Sequence, residues 1–325
     1  MTDRTSGLTR RAALAAGLAV PALIAARVPL ARASAPMLGA AAPTFRRFKL
    51  GGFEITSIAD SSVVLDGPRP IFGEDQSDDA VHQLMQANNL PTGKIRIEFT
   101  PVIVNTGSQL VLFDSGNAAE GGFAPGTMPG PLLDAGYSPD QIDIVVISHF
   151  HPDHIGGLMA GGAPAYPNAR YVMGEAENNF WTHPDRLSGA TEGVAQMTRA
   201  NVVPLAEKTT FIKPGDTVTS GITALEAFGH TPGHMAWHVE SDGRQFVFFA
   251  DTANHYVASL QRPDWHVSFD MDQENAVASR HRVLGMLAAD GIAAAGYHMP
   301  FPSVGHVEAI AGGYRWVPIT YQFDT

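Results

Sequence analysis

"SHFHPDHIGG", residues 148–157, brings His149, His151, Asp153 and His154 together in a chain that has only 13 histidines among 325 residues. The four residues before it, Ile144-Val145-Val146-Ile147, form an uninterrupted apolar, β-branched run and read as a buried strand. The cluster therefore begins where a strand ends, the edge at which open α/β sheets place their ligands. His149 and His151 are two residues apart in an extended segment, so both imidazoles face one side. Asp153 and His154 lie beyond Pro152, where the chain turns, and Gly156-Gly157 allow a tight backbone after them. A polar surface loop could have this composition. A two-ion cluster needs this arrangement, with two ligands aimed at one point and two at its neighbour.

The pattern of an apolar run followed by a ligand-type residue recurs. "AFGHTPGH" (227–234) ends a run at His230 and turns through Thr231-Pro232-Gly233 to His234. "FVFFAD" (246–251) ends at Asp251, and "IAAAGYH" (292–298) ends at His298. One histidine after a strand is commonly a hydrogen-bonded structural residue. Four such strand ends in one chain point to a metal centre. The sequence contains no cysteine, which excludes disulfides, thiolate zinc sites and a cysteine nucleophile. Imidazole and carboxylate remain, and they suit zinc, manganese, cobalt or iron.

The first 33 residues read as a targeting segment. Thr9-Arg10-Arg11 precedes an Ala/Leu-rich run from Ala12 to Ala26, and Ala31-Arg32-Ala33 is a small-x-small cleavage pattern. The run is too short and alanine-rich for a membrane span. The paired arginines resemble a twin-arginine export signal, so residues 1–33 are expected to be a signal peptide. Residues 34–325 are then a single hydrolase domain that is periplasmic or secreted, with no stable membrane anchor after cleavage. The leader is rich in arginine, and without it the formal charge of −11 becomes about −15. So acidic a protein is a poor ligand for a phosphate backbone, and nucleic acid is not an expected partner. A homodimer is compatible with the chain.

Strand-like stretches are Phe53–Ala59, Ile95–Val104, Gln109–Phe113, Ile142–Ile147, Arg170–Met173, Ile222–Phe228, Met235–Val239, Phe246–Ala250 and Trp316–Tyr321. Helical periodicity marks Asp78–Asn88 and Gln273–Ala289. "GGFAPGTMPGP" (121–131) is a Gly/Pro-rich loop suited to the rim of an active site. Strand groups interrupted by helices, in halves dividing near residue 200, suggest two packed sheets flanked by helices.

At this point the chain resembles the metallo-β-lactamase superfamily. The residues that carry the resemblance are His149, His151, Asp153, His154, His234, Asp251 and His298, in family order. It implies an α/β fold, an αββα sandwich of two mixed sheets, with a dinuclear site at the sheet edges. His149, His151 and His234 would hold one metal; Asp153, His154 and His298 would hold the other; Asp251 would bridge them. The segments "GGFEITSIADSS", "VNTGSQLVLFDSG", "HPDHIGGLM", "GHTPGH", "HMPFPSVGH" and "GYRWVPITY" look like the methyl parathion hydrolase branch, near the N-acyl homoserine lactonases. The resemblance implies a hydrolase with two divalent ions, Zn2+ first and Mn2+, Co2+ or Fe2+ as alternatives. A metal-bridging hydroxide would attack a small apolar phosphotriester, lactone or aryl ester, with Asp153 and Asp251 as catalytic residues. A β-lactamase is the alternative within the hydrolases, and a mononuclear iron sulfur dioxygenase the alternative of another class.

His230 is expected beside the ligands rather than among them. Asp114, in "LFDSG", is suited equally to orienting a ligand and to capping a turn. Phe180 and Trp181 are the candidate substrate-binding aromatics, although two adjacent aromatics on a helix also suit a core. His82, His183, His238, His255, His266, His281 and His306 are expected to be structural.

Overall fold

Val111 and Phe113 face one way and Leu112 the other, and all three are buried, so this short strand lies between two apolar layers. The same holds for the central strands of both large sheets, such as Ile144–Val146 and the second half of Arg244–Ala250. This is why their strands read as continuous apolar runs rather than alternating ones. The structure is a computed structural model that describes residues 37, 41–120 and 124–324. The expected signal peptide lies outside the described residues, as do residues 121–123 of the Gly/Pro-rich loop.

The first sheet has seven strands. They are β1 (Phe45–Leu50), β2 (Phe53–Ile58), β5 (Val102–Asn105), β6 (Leu110–Phe113), β7 (Ile144–Val146), β10 (Arg170–Gly174) and β11 (Thr209–Ile212), adjacent in that order. The pairs β6/β7, β7/β10 and β10/β11 are parallel and the others antiparallel. Two two-stranded antiparallel sheets stand apart from it: β3 (Ser61–Asp66) with β4 (Lys94–Phe99), and β8 (Met159–Ala160) with β9 (Ala163–Pro164). The second sheet takes its strands in sequence order: β12 (Thr217–Thr219), β13 (Ile222–Glu226), β14 (Met235–Ser241), β15 (Arg244–Ala250), β16 (Ala293–Gly296), β17 (Val304–Ile310) and β18 (Gly313–Pro318). Only β15/β16 is parallel there.

Three apolar clusters account for the layering. Ile55, Val104, Phe113 and Val146 of the first sheet meet Trp237, Phe246, Phe248 and Ala295 of the second. Behind the first sheet, Leu112, Val145 and Tyr171 pack on helices through Leu132, Trp181 and Ala195. Behind the second, Val247, Phe249 and Ala294 pack on Val283, Leu284 and Leu287 of the helix Gln273–Asp290. The result is the expected αββα order.

That helix starts on Asp272, whose side chain accepts from Asn275 N–H, and stops at Gly291 in the left-handed region, φ +64°. Its buried stripe includes Arg280 and Ser279 as well as the apolar positions. No helix among the described residues is long and apolar enough to cross a membrane.

One expected strand proves to be two. Ile95–Val104 breaks at Thr100-Pro101, because proline offers no N–H to a ladder. The first part falls in β4, paired with β3 in a separate two-stranded sheet. The second part, β5, enters the first sheet between β2 and β6. The break carries β4 toward the ligand edge, where Glu98 O accepts from His298 Nδ1 at 2.8 Å.

Candidate metal centre

Each candidate ligand follows a strand end. His149, His151, Asp153 and His154 follow β7, His230 follows β13, Asp251 follows β15 and His298 follows β16. Close packing fixes these turns. A Cβ on Gly157 would lie 2.0 Å from Ser115 O, so only glycine lets the turn after β7 lie against the turn after β6. A Cβ on Gly233 would lie 2.2 Å from Glu177 N, so the turn after β13 needs glycine to meet the helix Glu175–Thr182. Ala250, just before Asp251, is held at φ +44°, a left-handed conformation that is costly for alanine.

Three sets of ligand atoms lie within 4.8 Å of one another: His149/His151/His230, His149/His154/Asp251 and Asp153/His154/His298. Asp251 sits at the junction. Its oxygens are 3.2 Å from His230 Nε2, 3.3 Å from His154 Nε2 and 3.0 Å from His298 Nε2. His149 Nε2, His154 Nε2 and Asp251 Oδ1 are buried and have no hydrogen bond of acceptable geometry among the described residues. Orphaned buried polar atoms of this kind are costly unless a cation completes them. The ligand set, all imidazole and carboxylate, fits divalent ions of the zinc type.

The opposite ring nitrogens of His154, His230 and His149 are held by the protein, which fixes those rings. His154 Nδ1 lies 2.8 Å from Asp114 Oδ2, and Ser148 donates its N–H and Oγ–H to the same carboxylate. Asp114 therefore orients a histidine. His230 Nδ1 lies 2.9 Å from Asp270 Oδ1, and Asp270 in turn accepts from the fully buried Arg280 at 2.8 Å. His149 Nδ1 is 3.0 Å from Ser148 Oγ.

His234, expected as a ligand, is placed otherwise. Its Nδ1 is 2.9 Å from Ala227 O and its Nε2 accepts from Asp251 N–H at 3.1 Å, so both nitrogens are already taken by backbone. His230, expected outside the ligand set, takes its place, with Nε2 2.9 Å from His151 Nδ1. The ionisation of the two rings diverges accordingly. Burial opposes a charge on His230, but Asp251 and Asp270 outweigh it and hold the ring up at about 9. Burial, with the nearby His230, pushes His234 down to about 3. Burial likewise takes His151 down to about 3. Burial also works against Asp251, yet His298, His154 and His230 hold its carboxyl well below the usual range.

The sequence reading passed over Glu177. It is fully buried and accepts from four donors: Phe150 N–H at 2.8 Å, Trp181 Nε1–H at 2.7 Å, Thr231 Oγ1–H at 2.7 Å and Gly233 N–H at 2.9 Å. One carboxylate thus ties the turn bearing His149 and His151 to the turn bearing His230. Trp181 is spent in this clamp and is only 2% exposed. Phe180 packs with the helices, under Arg186 at 4.6 Å. Neither aromatic lines the cleft.

The cleft over the cluster is a cavity of about 320 Å³, with Ile97, Phe99 and Phe269 as apolar walls above His151, Asp153, Asp251 and His298. No lysine or arginine lines it among the described residues. A larger open groove of about 1040 Å³ lies at the starts of β15 and β16, whose ends carry the ligands. It contains none of the clustered ligand atoms.

The chain belongs to the metallo-beta-lactamase superfamily, whose sequence pattern matches residues 100–290. It is 24% identical to an N-acyl homoserine lactonase of Bacillus cereus over 55% of this chain and 69% of that protein. Among solved structures it is similar to AidC, described as a dizinc quorum-quenching lactonase, at 26% identity and TM-score 0.77, covering 85% of this chain and 98% of the other. It is also similar to hydrolase AbOPH of the beta lactamase superfamily, at 26% identity and TM-score 0.80, covering 87% and 99%.

Proposed function

We infer that the protein is a dinuclear metal-dependent hydrolase of uncharged lactones and related activated esters. The three orphaned buried ligand atoms around Asp251 carry this reading. His149, His151 and His230 would hold one ion, Asp153, His154 and His298 the other, and Asp251 would touch both. Ions held there would supply an activated water and a Lewis acid for the acyl oxygen. Asp114 and Asp270 hold the rings of His154 and His230 in the orientation that presents Nε2 to the centre. Asp153 Oδ2, 3.3 Å from His154 Nε2 and 3.5 Å from His298 Nε2, is the most exposed carboxylate of the cluster and the one placed to hold a proton of the attacking water.

Ile97, Phe99 and Phe269 exclude water from the reacting group. A cleft without lysine or arginine favours an uncharged substrate over a phosphodiester. The dizinc lactonase among the similar structures supports the choice of lactones. The test is to strip the protein with chelator, reload it with zinc, manganese or cobalt, and compare kcat/KM on a lactone, an aryl ester, a phosphotriester and a β-lactam. A lactone preference of at least about tenfold, regained with two bound ions per chain, is expected. A β-lactam preference, or full activity with one ion, overturns it.

The reading places the enzyme outside the cytoplasm, on the strength of the Thr9-Arg10-Arg11 segment. Replacing Arg10 and Arg11 by lysine is expected to leave uncleaved precursor in the cytoplasm.

A further inference from the structure

His298 lines a second cavity as well as the metal cleft. This cavity is about 260 Å³, with Met85, Leu90, Pro91 and Ile95 as apolar walls and His255 and Tyr256 beside them. Its charged lining residues are Lys94, Arg96 and Glu98. The first two are exposed and engaged with Asp66 and Ser62, and Glu98 Oε2 accepts from Phe301 N–H at 2.7 Å.

The ring of His255 is only 7% exposed, and its surroundings dictate which atom meets the cavity. Nδ1 accepts the N–H groups of Val257 and Ala258, each at 3.1 Å. One neighbour stacks on the ring, Tyr256 with centroids 5.0 Å apart at 16°, and Phe72 packs against it at 5.0 Å and 56°. With Nδ1 serving as acceptor, the single proton of the neutral ring sits on Nε2. Burial pushes His255 down to about 4, so the ring is neutral near pH 7. The Nε2–H has no hydrogen-bond acceptor among the described residues and is not among the fully buried unpartnered atoms, so it is open to a partner from the cavity side. The ring is thus a fixed donor on the lining of a small, largely apolar cavity that a metal-ligand candidate, His298, also lines.

We propose that this cavity is a second subsite that takes an uncharged side arm of the substrate, whose amide or ester carbonyl oxygen accepts from His255 Nε2–H while an apolar chain lies along Leu90, Pro91 and Ile95. This deepens the hydrolase reading above and rests on it. His255 is then a specificity residue: it grips a part of the substrate away from the bond that breaks.

Two variants separate the grip from the structural role of the ring. In His255→Asn the new amide oxygen falls near the place of Nδ1, keeping the acceptor for the two backbone amides and removing the donor. His255→Gln does the reverse, extending a donor toward the cavity and losing the turn's acceptor. The readout is the ratio of kcat/KM for an armed substrate over a bare one, on zinc-loaded protein. One pair is N-hexanoyl homoserine lactone against γ-butyrolactone; the other is the phenyl ester of N-hexanoylglycine against phenyl acetate. His255→Asn is expected to lower the ratio about tenfold, through KM, with Tm retained, the loss of one hydrogen bond. His255→Gln is expected to keep the ratio and lower Tm. A ratio unmoved by His255→Asn overturns the subsite and leaves His255 as a turn-holding residue alone. Hydrolysis of the esters but of neither lactone overturns the lactone reading and lets the ester pair decide the subsite. Hydrolysis of none of the four overturns both.

Discussion

The turn after β7 and the turn after β13 each offer histidines to the same edge, but they differ in how many arrive. In the first, His149, His151, Asp153 and His154 all contribute to a ligand cluster. In the second, His230 contributes and His234 does not, although the two stand four residues apart in one motif. The difference lies in what claims each ring. A carboxylate, Asp270, takes one nitrogen of His230 and leaves the other facing the centre. Backbone groups take both nitrogens of His234. Spacing marks the motif, and the partner of the far nitrogen marks the ligand.

The most severe test of this contrast is to remove each histidine in turn. His230→Ala is expected to lose one ion and more than the 10–100-fold, roughly, that follows loss of a residue that only orients a ligand. His234→Asn is expected to keep both ions, counted by elemental analysis, and to lose about 1–3 kcal/mol of stability through the amide it strands. Metal loss in the second variant and not in the first would reverse the assignment. Next in size is Asp251→Asn. Its carboxylate touches His154 of one turn and His230 of the other, so removing its charge weakens the joint between them. A fall in kcat of about 10²-fold is expected, with one ion bound more weakly. Two tight ions and near-normal kcat would show that Asp251 does not bridge.

Glu177 supplies the third test, because it holds the two turns in register. Glutamine has one acceptor oxygen where the carboxylate has two, so at least one donor among Phe150, Trp181, Thr231 and Gly233 must face an N–H. Glu177→Gln is expected to weaken zinc binding about tenfold or more while leaving both His149 and His230 in place. A competitive chelator titration measures it. Zinc affinity equal to the parent would mean that the turns hold their geometry without the clamp.

These residues also show where the sequence is readable and where it is not. The ligand edge was legible because apolar strands stop at His149, Asp251 and His298, and strand ends are marked by composition. The layering was legible because strands buried on both faces run continuously apolar. Pro101 was in plain view, yet the extended run on either side of it concealed that β4 and β5 belong to different sheets. Glu177, Asp270 and Arg280 carry no local signal at all. Each is a charged residue on or beside a helix, where solvent exposure is the ordinary state, and only tertiary packing turns it inward. The exchange of His230 for His234 has the same origin: nothing in "GHTPGH" states that Ala227 O and Asp251 N will enclose the second ring. Phe180 and Trp181 failed as cleft residues because a helix face does not reveal which layer it packs against.

The smallest effect concerns protons rather than metals and is read on chelator-treated protein. His234 is held neutral, its pKa lowered from 6.5 to about 3 by burial in the folded chain. Below pH 6.5 the unfolded chain therefore binds a proton at this position that the folded chain refuses, so stability falls with pH through that window. The loss continues until the pH approaches the folded value of about 3. Between pH 7 and pH 5 this single ring contributes a loss of about 2 kcal/mol. His230 has the opposite sign, since its raised value makes the folded chain the stronger proton binder until the pH rises through about 9. Urea unfolding of the parent and of His234→Asn at the two pH values isolates the term. The variant is less stable at pH 7, yet its further loss on going to pH 5 is expected to be smaller by about 2 kcal/mol. An identical pH slope in the two proteins would mean that His234 takes up its proton in the fold, and that its backbone partners do not hold it as they are drawn.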